Sequence, residues 1–392
     1  MKNSREYEYT HGHIKFLLNM IEASYKMWLL LGAAESKCKH LAGIPLRPEK
    51  YQELNQISLK KGVRATTAIE GNTLSEADVD KIYSGKDSEI PLSRKYQAQE
   101  IKNVLEVYNQ IIDSIKAVGS CEISLEILKS DNAAILKDIE LEDGVIAGEI
   151  RTYPVVVGYD KGAPAEDCEY LLERLFEWLN SDWKFGEYRL VEGILKAIIA
   201  HLYIAWIHPF GDGNGRTARV LEFRMLMKAG VPLTAAHLLT SYYNDTREQY
   251  YERLRDSSRV ENGELDFVRY ALQGFVDALD NQIKSILLEQ LDITWENYIY
   301  EFCFSGKLTP ALKRRRELLI EISKFDSVIS LDEMRYRLSS EILKQYQGSV
   351  KMFQRDLNYL ESQGLLYVNK DGYFAAKDKM LSFLPLSTSV NK

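Results

Sequence analysis

Apolar side chains recur every three or four residues along most of the chain, and this spacing predicts amphipathic helices. The segment 94–118 has one apolar face, and the segment 165–180 repeats the pattern with a leucine-rich stripe. The apolar positions of the first segment are Ile101, Val104, Leu105, Tyr108, Ile111 and Ile112. The pattern predicts a fold that is mostly α.

One stretch has a different pattern. Residues 148–157 are rich in β-branched side chains, and Gly158 and Gly162 follow them closely. A β-branched run bounded by glycines is typical of strands, so we predict a short β-hairpin here.

The C-terminal part of the chain predicts a separate small unit. The helical pattern breaks over residues 304–310, which include Gly306 and Pro310. Predicted helices then occupy 311–325, 330–338 and 349–363, and a hairpin follows with strands at 365–368 and 373–375. Three helices and a hairpin resemble a winged helix-turn-helix domain. We predict an N-terminal helical region (1–93), a core (94–304) and this C-terminal domain (311–378).

Composition adds limits on where the protein works. The 392 residues are 45% apolar and 27% charged, which is ordinary for a soluble globular protein, and the net charge of −7 gives no overall nucleic-acid footprint. The four cysteines include no C-x-x-C pair, which argues against a zinc site and fits a reducing compartment. The apolar run 14–31 is interrupted by charges such as Lys15 and Glu22, as in an amphipathic helix rather than a membrane span. We expect a cytoplasmic protein.

The stretch from His208 to Arg219, HPFGDGNGRTAR, concentrates the candidate chemistry. Apolar helical runs precede and follow it, so we expect a loop between two helices. Gly213 and Gly215 would let the backbone turn its N–H groups toward an anion, beside the positive end of the second helix. Arg216 and Arg219 are three residues apart, so they share a helix face and can clamp phosphate oxygens.

Two further side chains complete this stretch. Asp212 offers a hard oxygen ligand suited to Mg²⁺, and His208 offers a base for an attacking hydroxyl. Each residue alone has an ordinary structural explanation: a packed histidine, a glycine turn, a solvated pair of arginines. Together they favour phosphoryl or nucleotidyl transfer.

The same stretch resembles the signature of Fic-domain proteins, H-x-F-x-[D/E]-G-N-G-R-x-x-R, at every fixed position. The resemblance implies a helical core that binds ATP with Mg²⁺ and moves AMP onto a target hydroxyl. It implies that His208 is the general base and Asp212 the magnesium ligand. It also implies that the nucleotide's phosphates are held by Gly213, Asn214, Gly215, Arg216 and Arg219. Doc-type kinases of the superfamily have Lys where this chain has Gly215, which favours nucleotidyl transfer.

A second stretch, residues 66–72, reads TTAIEGN. Taken alone it predicts a helix that ends at Gly71. It also resembles the Fic inhibitory motif [S/T]-x-x-x-E-[G/N], with Thr66 as its hydroxyl residue and Glu70 as its glutamate. The resemblance implies an N-terminal inhibitory helix in which Glu70 pairs with Arg219 and removes one phosphate ligand. ATP would then bind in a pose unfit for in-line attack.

Two other segments take their functional interpretation from the resemblance. The predicted hairpin resembles the flap of Fic proteins, whose open edge holds a target peptide by strand pairing. The aromatic residues of 239–251 resemble the stretch that closes the core around the nucleotide base, although helix packing explains them equally well. His201, seven residues before His208, is predicted to be a packed histidine rather than a second base.

The sequence therefore predicts a self-inhibited protein adenylyltransferase that acts on a Ser, Thr or Tyr hydroxyl of an unidentified target protein, and on itself. One alternative is removal of AMP, with a glutamate positioning water. Another is a transcription regulator in which the C-terminal domain dominates, with Lys351 and Arg355 on its third helix facing DNA. Asp356 and Glu361 share that helix, so protein contact or homodimerisation is favoured over DNA for this domain.

Overall fold

The computed structural model describes residues 5–157, 160–303, 309–325, 327–346 and 348–381. It confirms the prediction of a mostly helical protein, and it divides into two compact units, residues 1–282 and 283–392. The helices of the first unit are α1 (Tyr7–Thr10), α2 (Tyr25–Gly43), α3 (Pro48–Ala68), α4 (Glu76–Tyr83), α5 (Lys95–Val118), α6 (Leu125–Ile135), α7 (Cys168–Asn180), α8 (Arg189–Ile207), α9 (Asn214–Ala229), α10 (Leu233–Ala236), α11 (Leu238–Asp245) and α12 (Arg247–Ser257). Helix α13 (Gly263–Cys303) runs from the first unit into the second.

Helices α8 and α9 form the centre of the first unit and pack closely against each other. Helix α8 is long and apolar enough to cross a membrane by composition, but 78% of its apolar window is buried inside the protein. It ends at Ile207, the next residue His208 has a left-handed backbone (φ 51°), and α9 starts after Gly213 (φ 75°). The predicted loop between two helices is thus present.

Helix α3 carries the second stretch of interest to that loop. It packs against α5, α10 and α11, and its last residues include the fully buried Thr66 and Thr67. The helix ends at Ala68, and the chain then turns through Gly71, whose φ of 101° is open to glycine but strained for other residues. Glu70 and Asn72 therefore lie in a fixed turn beside the centre of the unit.

The hairpin is shorter than the predicted strand. Strands β1 (Val156–Val157) and β2 (Asp160–Lys161) pair antiparallel, with Val156 opposite Lys161, and Gly158 lies outside the described residues. The preceding residues are not strand, because their backbone bonds to the loop between α8 and α9 instead. Ile150 forms an isolated bridge with Phe210, and the N–H of Arg151 donates to the Pro209 carbonyl at 2.9 Å.

The second unit has its own core around Trp295, Leu318 and Leu357. It contains α14 (Pro310–Ser323), α15 (Leu331–Arg337), α16 (Ser340–Tyr346), α17 (Val350–Ser362), β3 (Leu366–Val368) and β4 (Tyr373–Ala375). The three predicted helices and the hairpin are present; α16 was not predicted. Ile329 forms an isolated antiparallel β-bridge with Tyr373 of β4.

The two units divide within α13, whereas the sequence places the end of the core at residue 304. Residues 304–308 of the predicted boundary lie outside the described residues. Trp295 and Ile299, late in α13, are buried in the core of the second unit. The domain limits 1–93, 94–304 and 311–378 remain predictions.

Candidate active site

The loop between α8 and α9 is held in shape by its own amide side chain. The Oδ1 of Asn214 accepts from the Phe210 N–H at 2.9 Å, and its Nδ2 donates to the Phe210 carbonyl at 2.8 Å. Phe210 itself is 1% exposed, as expected of an inward anchor. Because both polar atoms of the Asn214 side chain bond to the Phe210 backbone, Asn214 could bind a phosphate only through its main-chain N–H.

Asn132, on α6, holds the loop between α8 and α9 by hydrogen bonds and was not predicted as a site residue. It is fully buried, and its Nδ2 donates to the Asp212 carbonyl at 3.0 Å and to the Thr217 hydroxyl at 3.1 Å. Its Oδ1 accepts from the Gly148 N–H at 2.8 Å. A buried amide with every polar atom used rigidifies its surroundings. The available signal was a polar residue in the predicted apolar helix 123–136.

Arg151 is a second site residue that the sequence analysis did not predict. It connects the loop between α8 and α9 to the segment before the β1–β2 hairpin. Its guanidinium donates to the backbone carbonyls of His208 (2.7 Å), Tyr153 (2.7 Å) and Ala163 (2.5 Å). The residue is 4% exposed. A charged side chain within a β-branched apolar run was the signal in the sequence. Its bonds fix the main chain at His208 without using the imidazole.

His208 lies at the start of this loop with a partly buried ring. Burial lowers the pKa of His208 to about 4, although the backbone of Ala205 partly opposes this shift. Nδ1 is enclosed and has no hydrogen bond of regular geometry within the described part of the chain. The imidazole is therefore neutral at physiological pH and able to accept a proton.

Arg216 lies between two carboxylates. Its Nη1 contacts Oε1 of Glu100 at 2.7 Å and its Nη2 contacts Oδ1 of Asp212 at 3.2 Å. The side chain of Asp212 is 45% exposed, whereas those of Arg216 and Glu100 are 7% and 15% exposed. Glu100 was not predicted, since a lone glutamate on an amphipathic helix has no distinguishing pattern.

Glu70 and Arg219 form the contact that the inhibitory motif predicts. Nη2 of Arg219 lies 2.6 Å from Oε1 of Glu70 and also donates to the Thr66 carbonyl at 2.9 Å. The Thr66 hydroxyl instead pairs with the Tyr108 hydroxyl at 3.1 Å, so the threonine meets the arginine through its backbone. Arg219 is fully buried, and its Nε and Nη1 have no hydrogen-bond partner among the described residues.

The Glu70 carboxylate is ionised and sits at the start of α9. Burial raises the pKa of Glu70, but Arg219, Arg216 and Arg247 together outweigh burial and lower it. The Glu70 side chain is 34% exposed, so solvent screens its pair with Arg219 in part. A Cβ placed on Gly215 would lie 2.2 Å from the carboxylate oxygen, which shows how closely Glu70 covers the predicted phosphate site.

The aromatic residues near the site divide into packed and accessible ones. Tyr243 and Tyr250 are buried and stacked with ring centroids 4.9 Å apart, and His201 bonds to the Tyr250 hydroxyl at 2.8 Å. His201 is thus a packed histidine. Tyr251 is 43% exposed, and its hydroxyl donates to the Ile69 carbonyl at 3.2 Å, next to Glu70 in the chain.

Comparison with known proteins fits this geometry. Residues 122–226 match the model of the Fic/DOC family, a span that includes α6, the hairpin, His208 and the arginine clamp. The chain contains a Fic domain. Within the described ranges, no group of three or more His, Cys, Asp or Glu side chains is arranged to hold a metal ion.

Similar curated proteins are named as adenylyltransferases. The chain is 33% identical over 209 residues to "Protein adenylyltransferase fic-1" of Caenorhabditis briggsae, covering 52% of this chain and 37% of that protein. It is 30% identical over 233 residues to the Caenorhabditis elegans protein of the same name, covering 57% and 42%. The chain therefore spans about two fifths of the length of these relatives.

Solved structures share the fold of the Fic domain. A Fic family protein from Desulfovibrio desulfuricans G20 aligns with a TM-score of 0.54 at 20% identity, covering 89% of this chain and 92% of that one. A segment of Fic-1 from C. elegans aligns with a TM-score of 0.53 at 25% identity, covering 67% and 73%.

Proposed function

We propose that this chain is a protein adenylyltransferase that moves AMP from ATP to a hydroxyl side chain of a target protein and of itself, and that Glu70 holds it inactive. The observation that carries the proposal is the contact of 2.6 Å between Glu70 and Arg219, a residue of the helix that follows the His208 loop. The names of the relatives support the same chemistry.

The phosphates of ATP would be bound at the start of α9. The main-chain N–H groups of Gly213, Asn214 and Gly215 and the positive helix end attract anionic oxygens. Arg216 and Arg219 supply the charged donors beside them, and Nε and Nη1 of Arg219 lack partners within the described residues. Buried donors without partners are costly, so a triphosphate oxygen that accepted from them would be well stabilised.

His208 would act on the acceptor. Its neutral imidazole takes the proton from the target hydroxyl as that oxygen attacks the α-phosphorus. A new P–O bond to the target forms, the bond between the α-phosphorus and the bridging oxygen breaks, and pyrophosphate leaves with its electron pair. Arg151 contributes by fixing the backbone of His208, so that the ring keeps its place during the proton transfer.

Asp212 fits a magnesium ligand. Its carboxylate is hard and 45% exposed, and among the described residues only its Oδ1 accepts hydrogen bonds, from the Gly213 N–H and from Arg216. Bound there, Mg²⁺ would neutralise charge on the phosphates, and one protein carboxylate shared with a nucleotide is the usual arrangement.

Glu70 would hold back transfer by occupying the guanidinium that a terminal phosphate requires. The ionised carboxylate also repels phosphate oxygens from the start of α9. ATP held without the Arg219 contact would have its α-phosphorus out of line with the acceptor.

The test is incubation of intact wild-type and Glu70→Gly protein with α-labelled or γ-labelled ATP, Mg²⁺ and a cell extract. Covalent label from the α position alone, stronger in Glu70→Gly, is the expected result. Label from the γ position would indicate a kinase and overturn the proposal, as would no label from either in a folded Glu70→Gly protein that binds ATP.

Removal of AMP is a second candidate, favoured by the ionised state of Glu70 beside the predicted phosphate site. A carboxylate there can position a water for attack on an AMP–protein bond. Release of labelled AMP from pre-modified protein by wild type, but not by Glu70→Gly, would select this activity.

A DNA-directed role for the second unit has less support than the sequence suggested. The basic run 313–316 contributes to internal contacts, because Arg314 and Arg315 both bond to Asp356 within the unit at 2.7 and 2.8 Å. Lys351 and Arg355 on α17 remain exposed. We infer that this unit makes protein contacts rather than binding DNA.

A further inference from the structure

Glu70 is not the only carboxylate that engages the arginine clamp. We propose that Glu100 and Asn72 form a second restraint, which holds Arg216 against the turn that carries Glu70 (residues 69–72, the inhibitory turn). Arg216 and Arg219 are then both kept from a triphosphate. The inference rests on the proposed function and names a further part of its regulation.

The first observation is how completely Arg216 is engaged. Its two terminal nitrogens contact Glu100 and Asp212, and its side chain is only 7% exposed. The remaining nitrogen, Nε, is buried without a hydrogen-bond partner among the described residues. The outward nitrogens are thus both taken, and a phosphate oxygen must displace a carboxylate to reach them.

Of the two carboxylates, Glu100 is the one that does not leave easily. Asp212 is 45% exposed and would turn to a bound cation. The Glu100 side chain is 15% exposed, and its other oxygen, Oε2, accepts from the Asn72 amide at 2.9 Å. Glu100 is therefore held from two sides, by Arg216 and by Asn72.

Asn72 connects Glu100 to the inhibitory turn. It follows Glu70 by two residues, after Gly71 with its positive φ. Its Nδ2 also donates to the Gln97 carbonyl at 2.9 Å, and its Oδ1 accepts from the Leu74 N–H at 3.1 Å. Thr73 adds a bond from its hydroxyl to Oε1 of Gln97 at 3.3 Å. The turn is thus fastened to the first part of α5, where Glu100 lies.

The charges of the site explain why such a restraint inhibits. Three carboxylates, Glu70, Glu100 and Asp212, surround the two arginines of the clamp. Burial raises the pKa of Glu100 and Arg216 lowers it, while Asp212 and Glu70 raise it further, so the site already crowds negative charge. A triphosphate adds more, and like charges at short range repel strongly where solvent is limited.

The experiment measures ATP affinity by calorimetry, with Mg²⁺, on the intact chain. Four proteins form a double-mutant cycle: wild type, Glu70→Gln, Glu100→Gln and the double variant. Glutamine keeps the shape and removes the charge. We expect Glu100→Gln alone to tighten ATP binding by roughly three- to tenfold, because charge-assisted contacts are the strong ones. The two substitutions should not be additive, since both release one fastened turn.

Two further variants make the result specific. Asn72→Ala leaves the Glu100–Arg216 pair but removes its fastening, and should tighten binding in the same direction by a smaller factor. Lys102→Gln, on the same helix, breaks only the surface pair with Asp87 and should leave ATP affinity unchanged. Thermal unfolding of each variant separates these effects from loss of fold.

Unchanged or weaker ATP binding by folded Glu100→Gln would overturn the proposal, and weaker binding would mean that Glu100 orients Arg216 toward phosphate. The failure of the proposed function looks different: then neither wild type nor Glu70→Gly binds ATP or takes label from its α position.

Discussion

Neighbouring arginines meet carboxylates in two parts of this molecule, with opposite outcomes. In the Fic domain, Arg219 contacts Glu70, which comes from a turn 149 residues earlier and keeps 34% of its side chain accessible. In the second unit, Arg314 and Arg315 share Asp356, whose side chain is fully buried.

The surroundings deepen the contrast. Asp356 also accepts from the Tyr346 hydroxyl at 3.3 Å, and Arg315 lies over the Tyr359 ring with 3.9 Å to its centroid. Arg219, by comparison, leaves two of its nitrogens without partners within the described part of the chain. A buried carboxylate whose hydrogen bonds are satisfied stabilises a fold. An exposed carboxylate, paired with an arginine that still has unpaired nitrogens, can be replaced by an anionic ligand. We therefore expect the same pair of residue types to serve stability in the second unit and, under the proposed function, regulation beside His208.

The largest expected effect is on the chemistry that the accessible pair controls. In a Glu70→Gly background, His208→Ala should lower AMP transfer by about 10²–10⁴-fold, because general-base catalysis is lost. ATP affinity by calorimetry should stay nearly constant, since the phosphates are held by α9 and the arginines. His40→Ala, at an exposed position outside the site, is the matched control. Transfer that survives His208→Ala would remove this histidine from the mechanism.

The enclosed pair should respond in stability rather than activity. Asp356→Asn leaves two arginines without their shared counter-charge, and breaking a buried pair costs about 3 kcal/mol at the lower end of the usual range. We choose the lower end because Arg314 and Arg315 keep 16% and 18% of their side chains accessible. Urea unfolding followed by the tryptophan signal measures the change.

ATP affinity of Asp356→Asn should equal that of wild type, which serves as the internal control. A change below 0.5 kcal/mol, typical of ordinary surface substitutions, would contradict the structural role given to Asp356.

Glu70→Gly tests whether the accessible pair is inhibitory. Release of Arg219 should raise AMP transfer roughly tenfold to a hundredfold, as one charge-assisted contact to the triphosphate is regained. Measurement is covalent label from α-labelled ATP at equal protein concentration.

Arg219→Ala is the control for that prediction. It should lose the clamp in either background, so the double variant with Glu70→Gly should show no activation. Activation that persists in the double variant would mean that Glu70 acts somewhere other than on Arg219.

The smallest effect concerns pH. Because burial lowers the pKa of His208 to about 4, the neutral base persists as pH falls and is lost only near that value. On a Glu70→Gly background, kcat/KM for transfer should change less than about twofold between pH 7 and 5.5, whereas an unperturbed imidazole would lose about nine tenths of its neutral form. Half-loss of activity near pH 6.5 in folded protein would show that the ring is exposed in the working enzyme.

The sequence alone identified the helical class and the local chemistry of the site. Spacing of apolar residues marked the helices, and the stretch 208–219 places the groups of the loop side by side in the chain, so no tertiary information was required to list them. Pairing of Glu70 with Arg219 was also predicted, but through resemblance to a family rather than from spacing.

The tertiary structure decided the other contacts between residues that are distant along the chain. Asn132, Arg151 and Glu100 act on the loop from 57 to 116 residues away, and each looks like an ordinary polar residue in its own segment. The spacing of apolar residues predicts which face of a helix is buried, but it does not identify the carboxylate or carbonyl of another segment that a polar side chain contacts. The compact units of the structure divide inside the continuous helix α13. Burial has the same origin: the neutral state of His208 and the ionised state of Glu70 follow from what the fold packs around them, and no local stretch of sequence encodes that environment.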